Sequence, residues 1–281
     1  MEVIQTLKEF IEKRSKFNNK SIGLVPTMGN LHRGHLSLVT ESLRNNHLTI
    51  ITIFVNPKQF GAHEDLDKYP RTLTQDCSQI ERISLDFPEK EVIIFAAKSV
   101  CEIYPVGFDT SISVGKITKI LCGKNRPTHF SGVTTVVYQL FQITKPDTAY
   151  FGLKDFQQFK VISKMVQDLL IPVKLKALPI VRDDSGLALS SRNQYLTPEH
   201  KLLALVLPAT LKRLKDIIIE QGLANALALK KDQLNEKKWD YIEILRQDDL
   251  QTPDSKDKSL IILGALTIGT TRLIDNLLVE L

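Results

Sequence analysis

Five short apolar runs constrain this chain most: SIGLV at 21–25, LTIITIFV at 48–55, EVIIFA at 91–96, TAYFG at 148–152 and VKLKALPIV at 173–181. Stretches of helical period separate them. Leu36, Val39 and Leu43 follow the first run, Val133, Val137, Leu140 and Phe141 precede the fourth, and Phe159, Ile162, Val166 and Leu169 precede the fifth. Strands that alternate with crossover helices run parallel, with helices covering both faces of the sheet. Residues 1–182 are therefore expected to form a doubly wound α/β domain. The opening MEVIQTLKEFIEKRSKF reads as an amphipathic first helix.

Beyond RDDSGLALSSRNQYL the pattern changes. TPEHKLLALVLPATLKRLKDIIIE places Thr197 as a cap and Pro198 at the first helical position, then continues apolar at helical spacing. A second helix is expected over 223–236, followed by three β-like pieces, WDYIEILR, SLIILGALTIG and TRLIDNLLVE. Residues 183–281 thus read as a smaller α+β domain, with the boundary between 181 and 185.

Composition narrows the class of function. With 43% hydrophobic and 25% charged residues among 281, the chain has the make-up of a soluble globular protein. No apolar run reaches the roughly 20 residues needed to span a bilayer, and the first residues lack a signal-peptide pattern, so a cytoplasmic protein without a membrane partner is expected. Cys77, Cys101 and Cys122 are odd in number and contain no CxxC pair, which points away from a disulfide framework. The net charge of +5 has no aromatic-interleaved basic stripe behind it. Its densest clusters, KRLK at 212–215 and the KK pairs at 230–231 and 237–238, read as solvated helix faces rather than a nucleic-acid surface.

In an open parallel sheet, ligands bind beyond the carboxyl ends of the strands. The notable polar clusters all fall there: PTMGNLHRGH after the first run, NPKQFG after the second, GLKDFQQ after the fourth and DDSGLALSSR after the fifth. His32 and His35 flank Gly34 where a helix opens, a place that favours anions. Two imidazoles there suit phosphate binding and stabilisation of a leaving pyrophosphate; a helix cap, a core filler or a zinc ligand are the alternatives. Neither GxGxxG nor GxxxxGK[ST] occurs, so a phosphate must be held by another arrangement. Lys154 with Asp155, and Ser190, Ser191 and Arg192, supply a point charge, hydroxyls and a guanidinium fork. Asn56, Gln59 and Gln158 are uncharged groups able to fix a small polar substrate, although Asn56 before Pro57 also suits a turn.

PTMGNLHRGH, FVNPKQFG, DLDKYPRT, NRPTHFSGV, YFGLKDFQQ and LALSSRNQYL, in this order, resemble the pantothenate synthetases, the pantoate–β-alanine ligases. RLIDN near the C-terminus fits the same likeness, and His32, Arg33, Gly34 and His35 match the HxGH hallmark of HIGH-type nucleotidyltransferases. The resemblance implies a Rossmann-like first domain and a C-terminal lid that closes over a site between the domains. It implies that ATP and (R)-pantoate form a pantoyl adenylate, and that β-alanine then releases AMP to give pantothenate. Mg²⁺ is the implied metal and a homodimer the implied assembly. A different HIGH-type nucleotidyltransferase is the rival reading.

Carried over by position, the resemblance gives an ATP site of Met28, Gly29, Asn30, Leu31, His32, Arg33, Gly34, His35, Gly152, Leu153, Lys154, Asp155, Val181, Leu189, Ser190, Ser191 and Arg192. His32, His35 and Lys154 are the implied catalytic groups, with His35 as proton donor. Gln59, Gln158, Asn56, Pro26, Tyr69, Arg126 and His129 are the implied substrate residues. Asp76 would meet Mg²⁺ or the β-alanine amine, or else be a surface helix carboxylate. Three places depart from the family pattern: Leu153 stands for an acid, Thr128 and Ser131 stand for Gly and Arg, and the segment 83–90 is longer than expected.

Overall fold

A computed structural model describes residues 1–62, 64–234 and 239–281. The chain divides into two compact units, one of residues 1–153 and 157–179, the other of residues 154–156 and 180–281.

The first unit runs β1 (Glu2–Ile4), α1 (Leu7–Ser15), β2 (Ile22–Thr27), α2 (Arg33–Asn45), β3 (Leu48–Ile53), α3 (Leu73–Ser84), β4 (Glu91–Ala96), α4 (Cys122–Asn125), α5 (His129–Thr144), β5 (Thr148–Gly152), α6 (Phe156–Asp168) and β6 (Lys174–Leu178). Its strands form one parallel sheet in the order β1-β4-β3-β2-β5-β6. Alternate residues of each strand face opposite sides. Ile22, Leu24, Leu48, Ile50, Ile93 and Phe95 pack with Phe10 of α1, Val133, Val137 and Leu140 of α5, and Ile162 and Met165 of α6. Val25, Ile51, Ile94 and Tyr150 pack with Leu38, Val39 and Leu43 of α2 and Ile80 of α3. Burial on both faces explains why these strands read as unbroken apolar runs.

The expected doubly wound sheet is present, with one correction at its start. Glu2–Ile4 pair with Ile93–Phe95 as an edge strand, and the helix begins only at Leu7, capped by the Thr6 hydroxyl. Three strand residues leave too short a pattern to separate from helical period.

The second unit holds α7 (Pro198–Ala204), α8 (Val206–Gln221), α9 (Leu223–Gln233), β7 (Trp239–Arg246), β8 (Ser259–Ile268) and β9 (Thr271–Glu280). The strands form an antiparallel sheet in sequence order. Leu207, Leu211, Leu214 and Ile218 of α8 recur on one helix face and bury against Ile242, Ile244, Leu260, Ile262 and Leu266. The single helix expected from Pro198 onward is two, with a break at Leu205. Pro208 accounts for it, because its ring collides with a carbonyl four residues back and it has no N–H to give. The last residues of the helix expected over 223–236, and the KK pair at 237–238, lie outside the described residues.

Candidate functional site

The sheet order places a switch point between β2 and β5: the chain winds from β2 outward to β4, then returns to add β5 on the other side. The two strands part as they approach it. The β2–β3 ladder continues to Thr27–Ile53, whereas the β2–β5 pairing ends at Leu24–Ala149. Pro26, which offers no N–H to a ladder, falls in the stretch that β5 leaves unpaired while still registered with Thr52 of β3. A crevice at such a split is the usual ligand position of a doubly wound sheet.

The loop leaving β2 is held from below by α3. Gly29 and Asn30 adopt left-handed φ values of 81° and 50°, a region open to Gly and tolerated by Asn. Asp76 on α3 is buried, and its carboxylate accepts the Asn30 and Leu31 N–H groups at 3.0 and 2.8 Å and the Thr72 hydroxyl at 3.2 Å. Of the alternatives posed for Asp76, the surface carboxylate is corrected: the side chain is buried and engaged with loop backbone. Among the described residues, no three His, Cys, Asp or Glu side chains converge as a metal cluster.

His32 and His35 share one geometry at the N-terminus of α2. His32 Nδ1 accepts the Gly34 N–H at 3.1 Å, and His35 Nδ1 accepts the His32 N–H at 3.4 Å. Their rings stack with centroids 4.0 Å apart. A nitrogen that accepts from backbone carries no proton, so each neutral ring is the Nε2–H tautomer. The helix-cap alternative posed by the sequence is thus met at Nδ1 of both rings. Arg33 between them is exposed.

The turn after β3 brings Gln59 to this loop, its amide nitrogen lying 2.9 Å from Met28 Sδ. Asn56, expected to meet substrate or to make a turn, is buried and makes the turn. Its Oδ1 accepts from Lys58 N–H at 3.2 Å and the Tyr104 hydroxyl at 2.8 Å, and its Nδ2 donates to Gln59 Oε1 and the Gly132 carbonyl, both at 3.1 Å. Burial pushes the Tyr104 phenol well above its ordinary value, keeping it a donor. Gly132 permits this packing, since a Cβ there would lie 2.2 Å from the Lys58 carbonyl oxygen.

A charged clamp secures the same turn from the other side. Arg126 donates through Nε to Glu64 Oε1 at 2.6 Å, pairs through a second nitrogen with Glu64 Oε2, and donates to the Gln59 carbonyl at 3.2 Å. Its remaining nitrogen lies 3.2 Å from His129 Nε2. Because a guanidinium only donates, His129 Nε2 is the acceptor, and its Nδ1–H donates to the Gln59 carbonyl at 2.9 Å. Burial would raise the Glu64 carboxyl, but the Arg126 hydrogen bond and charge outweigh it and hold that carboxyl below its ordinary value. Arg126 and His129, among the implied substrate residues, hold the Gln59 backbone. Tyr69 is buried edge-on to Phe60 at 6.0 Å. In the QQ pair of α6, the buried Gln157 amide is taken by Ile117 O, Ile120 O and Cys122 N, while Gln158 is half-buried.

Lys154, Asp155 and the serine–arginine loop belong to the second unit. Gly152 closes β5, and Leu153–Asp155 form a 3₁₀ turn in which Lys154 Nζ lies 3.5 Å from Asp155 Oδ1. Residues 181–189 fold into a hairpin, with Leu189 N–H donating to Val181 O and Asp183 N–H to Leu187 O, both at 2.9 Å. Asp183 Oδ1 accepts the Ser185 and Leu187 N–H groups at 3.0 Å each. The hairpin delivers Ser190, whose hydroxyl oxygen caps the turn Ser191–Tyr195 by accepting from Arg192 N–H at 3.2 Å. Of the departures, Ser131 Oγ donates to the Thr128 carbonyl at 2.8 Å, and Leu153 is an ordinary residue of the lysine turn.

Glu64, Tyr104, Gly132 and the Asp275–Asn276 pair of β9 were not singled out by residue type. Each acts through partners distant in sequence, such as Glu64 with Arg126, 62 residues apart, and no local pattern marks such a pair.

The family model described as pantoate-beta-alanine ligase matches residues 1–278. The pantothenate synthetases of Acetivibrio thermocellus and Caldicellulosiruptor saccharolyticus are 45% and 47% identical, with at least 98% of both chains covered in each case. The pantoate–β-alanine ligase structure from Thermus thermophilus superposes with a TM-score of 0.91 at 38% identity, covering 99% of each chain. That from Francisella tularensis, complexed with beta-gamma ATP and β-alanine, gives 0.80 at 37% identity over 99% of this chain and 97% of that one. With a parallel sheet split behind an HxGH loop and likeness over its whole length, the chain belongs to the pantoate–β-alanine ligase family and is a pantothenate synthetase by kind.

Proposed function

We propose that this ligase works through an adenylate: a pantoate carboxylate oxygen attacks the α-phosphorus of ATP, the bond to the β-phosphate breaks, and pyrophosphate leaves. The neutral amine of β-alanine then attacks the acyl carbon, the acyl–phosphate oxygen bond breaks, AMP leaves with that electron pair, and the nitrogen gives up one proton to solvent. The observation that carries this reading is the paired histidine geometry. With both Nδ1 atoms engaged by backbone at the α2 N-terminus, both neutral rings are Nε2–H donors beside a helix dipole that favours anions. Phosphoryl transfer of this kind needs positioning and charge stabilisation rather than an enzyme nucleophile.

In the same reading, Lys154, Ser190 and Arg192 meet the phosphates as a point charge, a hydroxyl and a guanidinium fork. Gln59 suits pantoate, because its amide nitrogen rests against a thioether, a weak acceptor that a hydroxyl or carboxylate oxygen outcompetes. Gln158 is the second uncharged group assigned to pantoate. Mg²⁺ is assigned to the triphosphate itself. The described residues provide no cage of three ligands, and Mg²⁺ commonly binds through substrate phosphates and water; no step is derived through it. The Rossmann-like domain of 1–182, the lid domain of 183–281, a homodimer and a cytoplasmic location complete the proposal and rest on the family likeness. No helix among the described residues is long and apolar enough to cross a membrane.

The test is ATP–pyrophosphate exchange with and without D-pantoate, followed by AMP release on adding β-alanine. Exchange that requires pantoate, with AMP appearing only after β-alanine, is the expected result; exchange indifferent to pantoate overturns it. Lys154→Ala is expected to slow exchange at least about a hundredfold, the scale of one lost charge-stabilising donor.

A further inference from the structure

RLIDN ends in two adjacent buried polar residues, Asp275 and Asn276, which are 2% and 3% exposed. The buried positions of β9 otherwise keep period two through Thr271, Leu273, Asp275 and Val279, and Asn276 is out of phase with them. A buried amide on the opposite face of a strand needs partners there. Asn276 Nδ2 donates to the carbonyl of Lys154 at 3.0 Å. Lys154 lies in the three-residue stretch, 154–156, that belongs to the second unit although its neighbours on both sides belong to the first.

The adjacent Asp275 accepts a two-pronged hydrogen bond from Arg182 at 2.6 and 2.9 Å. Arg182 also donates to the Gly186 carbonyl at 3.0 Å, bracing the hairpin that leads into Ser190 and Arg192. One pair of neighbours in β9 therefore fastens the lysine turn and the base of the serine–arginine loop to the same sheet.

We propose that Asn276 is a positioning residue for Lys154. A lysine side chain has a flexible four-carbon stem, so the protein can fix its starting point more firmly than its tip. Holding the Lys154 carbonyl fixes the peptide plane that follows its Cα, and with it the direction from which the ammonium approaches. The Lys154 side chain is 19% exposed and, among the described residues, has the 3.5 Å pair with Asp155 to steady it; a pair that long restrains the tip weakly, so the anchored backbone carries the orientation. The phosphate-facing set is thereby built as one body: Asn276 holds the lysine and Asp275, through Arg182, holds the serines and arginine. This inference rests on the phosphate role assigned to Lys154 above.

The experiment measures pantoate-dependent ATP–pyrophosphate exchange in Asn276→Ala, Asn276→Asp, Lys154→Ala and the Asn276→Ala/Lys154→Ala double variant, with thermal unfolding of each. Asn276→Ala is expected to lower the exchange rate about tenfold, the scale of one lost hydrogen bond acting on alignment, and to leave the β-alanine KM unchanged. Asn276→Asp is expected to lose at least as much, because a carboxylate oxygen then faces the Lys154 carbonyl oxygen. A packing role would rank the near-isosteric Asp above Ala and overturn the proposal. In the Lys154→Ala background, Asn276→Ala is expected to cost nothing further; losses that multiply overturn the proposal, since independent sites add in free energy. If Asn276→Ala does not fold, Asn276→Thr, a strand-favouring residue without the amide, takes its place with the same expectations. Loss in Lys154→Ala with normal exchange in the Asn276 variants defeats this inference alone, whereas normal exchange in Lys154→Ala defeats the phosphate reading as well.

Discussion

Asp76 holds Leu31 by its backbone: a buried carboxylate on α3 accepts the Leu31 N–H at 2.8 Å, and its other oxygen takes Asn30 at 3.0 Å. The loop between β2 and the histidines owes its shape to this contact, because Gly29 and Asn30 both hold positive φ. Asp76→Ala is expected to lower unfolding free energy by about 1–3 kcal/mol, the cost of buried donors left unpaired. Adenylation should slow, while the Mg²⁺ concentration needed for half-maximal residual activity should stay at its wild-type value. A large shift in that concentration would make Asp76 a metal ligand.

The division of labour within each imidazole is open to test at His32. Asn is among the best N-caps and can accept the Gly34 N–H in place of Nδ1, but it offers nothing at the Nε2 position. His32→Asn is expected to melt close to wild type, yet to slow pantoate-dependent exchange at least about a hundredfold. His32→Ala should lose both rate and stability. His35→Ala is expected to show a rate loss of the same scale.

Glu64 and Arg126 give the Gln59 turn a pH signature. The folded-state carboxyl lies below its ordinary value near 4.5, so the pair stabilises fully above that pH and loses this contribution as pH falls below it through the folded value. Glu64→Gln is expected to be less stable than wild type at neutral pH, with the two converging in acid. Thermal unfolding across pH 3 to 7 in about half-unit steps follows the convergence. At neutral pH its pantoate KM should rise, since the Gln59 backbone loses part of its clamp.

Gly132 lets α5 approach the Gln59 turn closely. A methyl group there would sit 2.2 Å from the Lys58 carbonyl oxygen and 2.6 Å from Gln59 N, both backbone atoms. Gly132→Ala is expected to cost about 1–3 kcal/mol of stability, as overpacking does. Steady-state kinetics should show the pantoate KM rising more than the ATP KM, because the shifted turn carries Gln59.

The fold was legible where burial writes a long pattern. The central strands are apolar on both faces, so β2 to β5 stand out as unbroken runs, and α8 shows its stripe over three turns. What escaped was short or set by a distant contact. Strand β1 is three residues pairing with β4, and the helix break at Leu205 comes from one proline four residues ahead of the carbonyl it displaces. The polar clusters after β2 and β3 were legible in the same way, because they follow directly on those apolar runs.

The order of strands and helices and the residue types in the strand-end loops follow from the sequence alone, since apolar period and loop chemistry are local properties. The division of roles among those polar residues does not. Asn56 and Gln158 look alike in a sequence, yet one is buried with its amide spent inside the protein and the other is left half-buried. Asp76 resembles a surface helix carboxylate until its oxygens are found buried on two backbone N–H groups. A buried polar group is defined by the partners that compensate its lost water, and those partners, Leu31 for Asp76 or Lys154 for Asn276, are brought together only by tertiary packing.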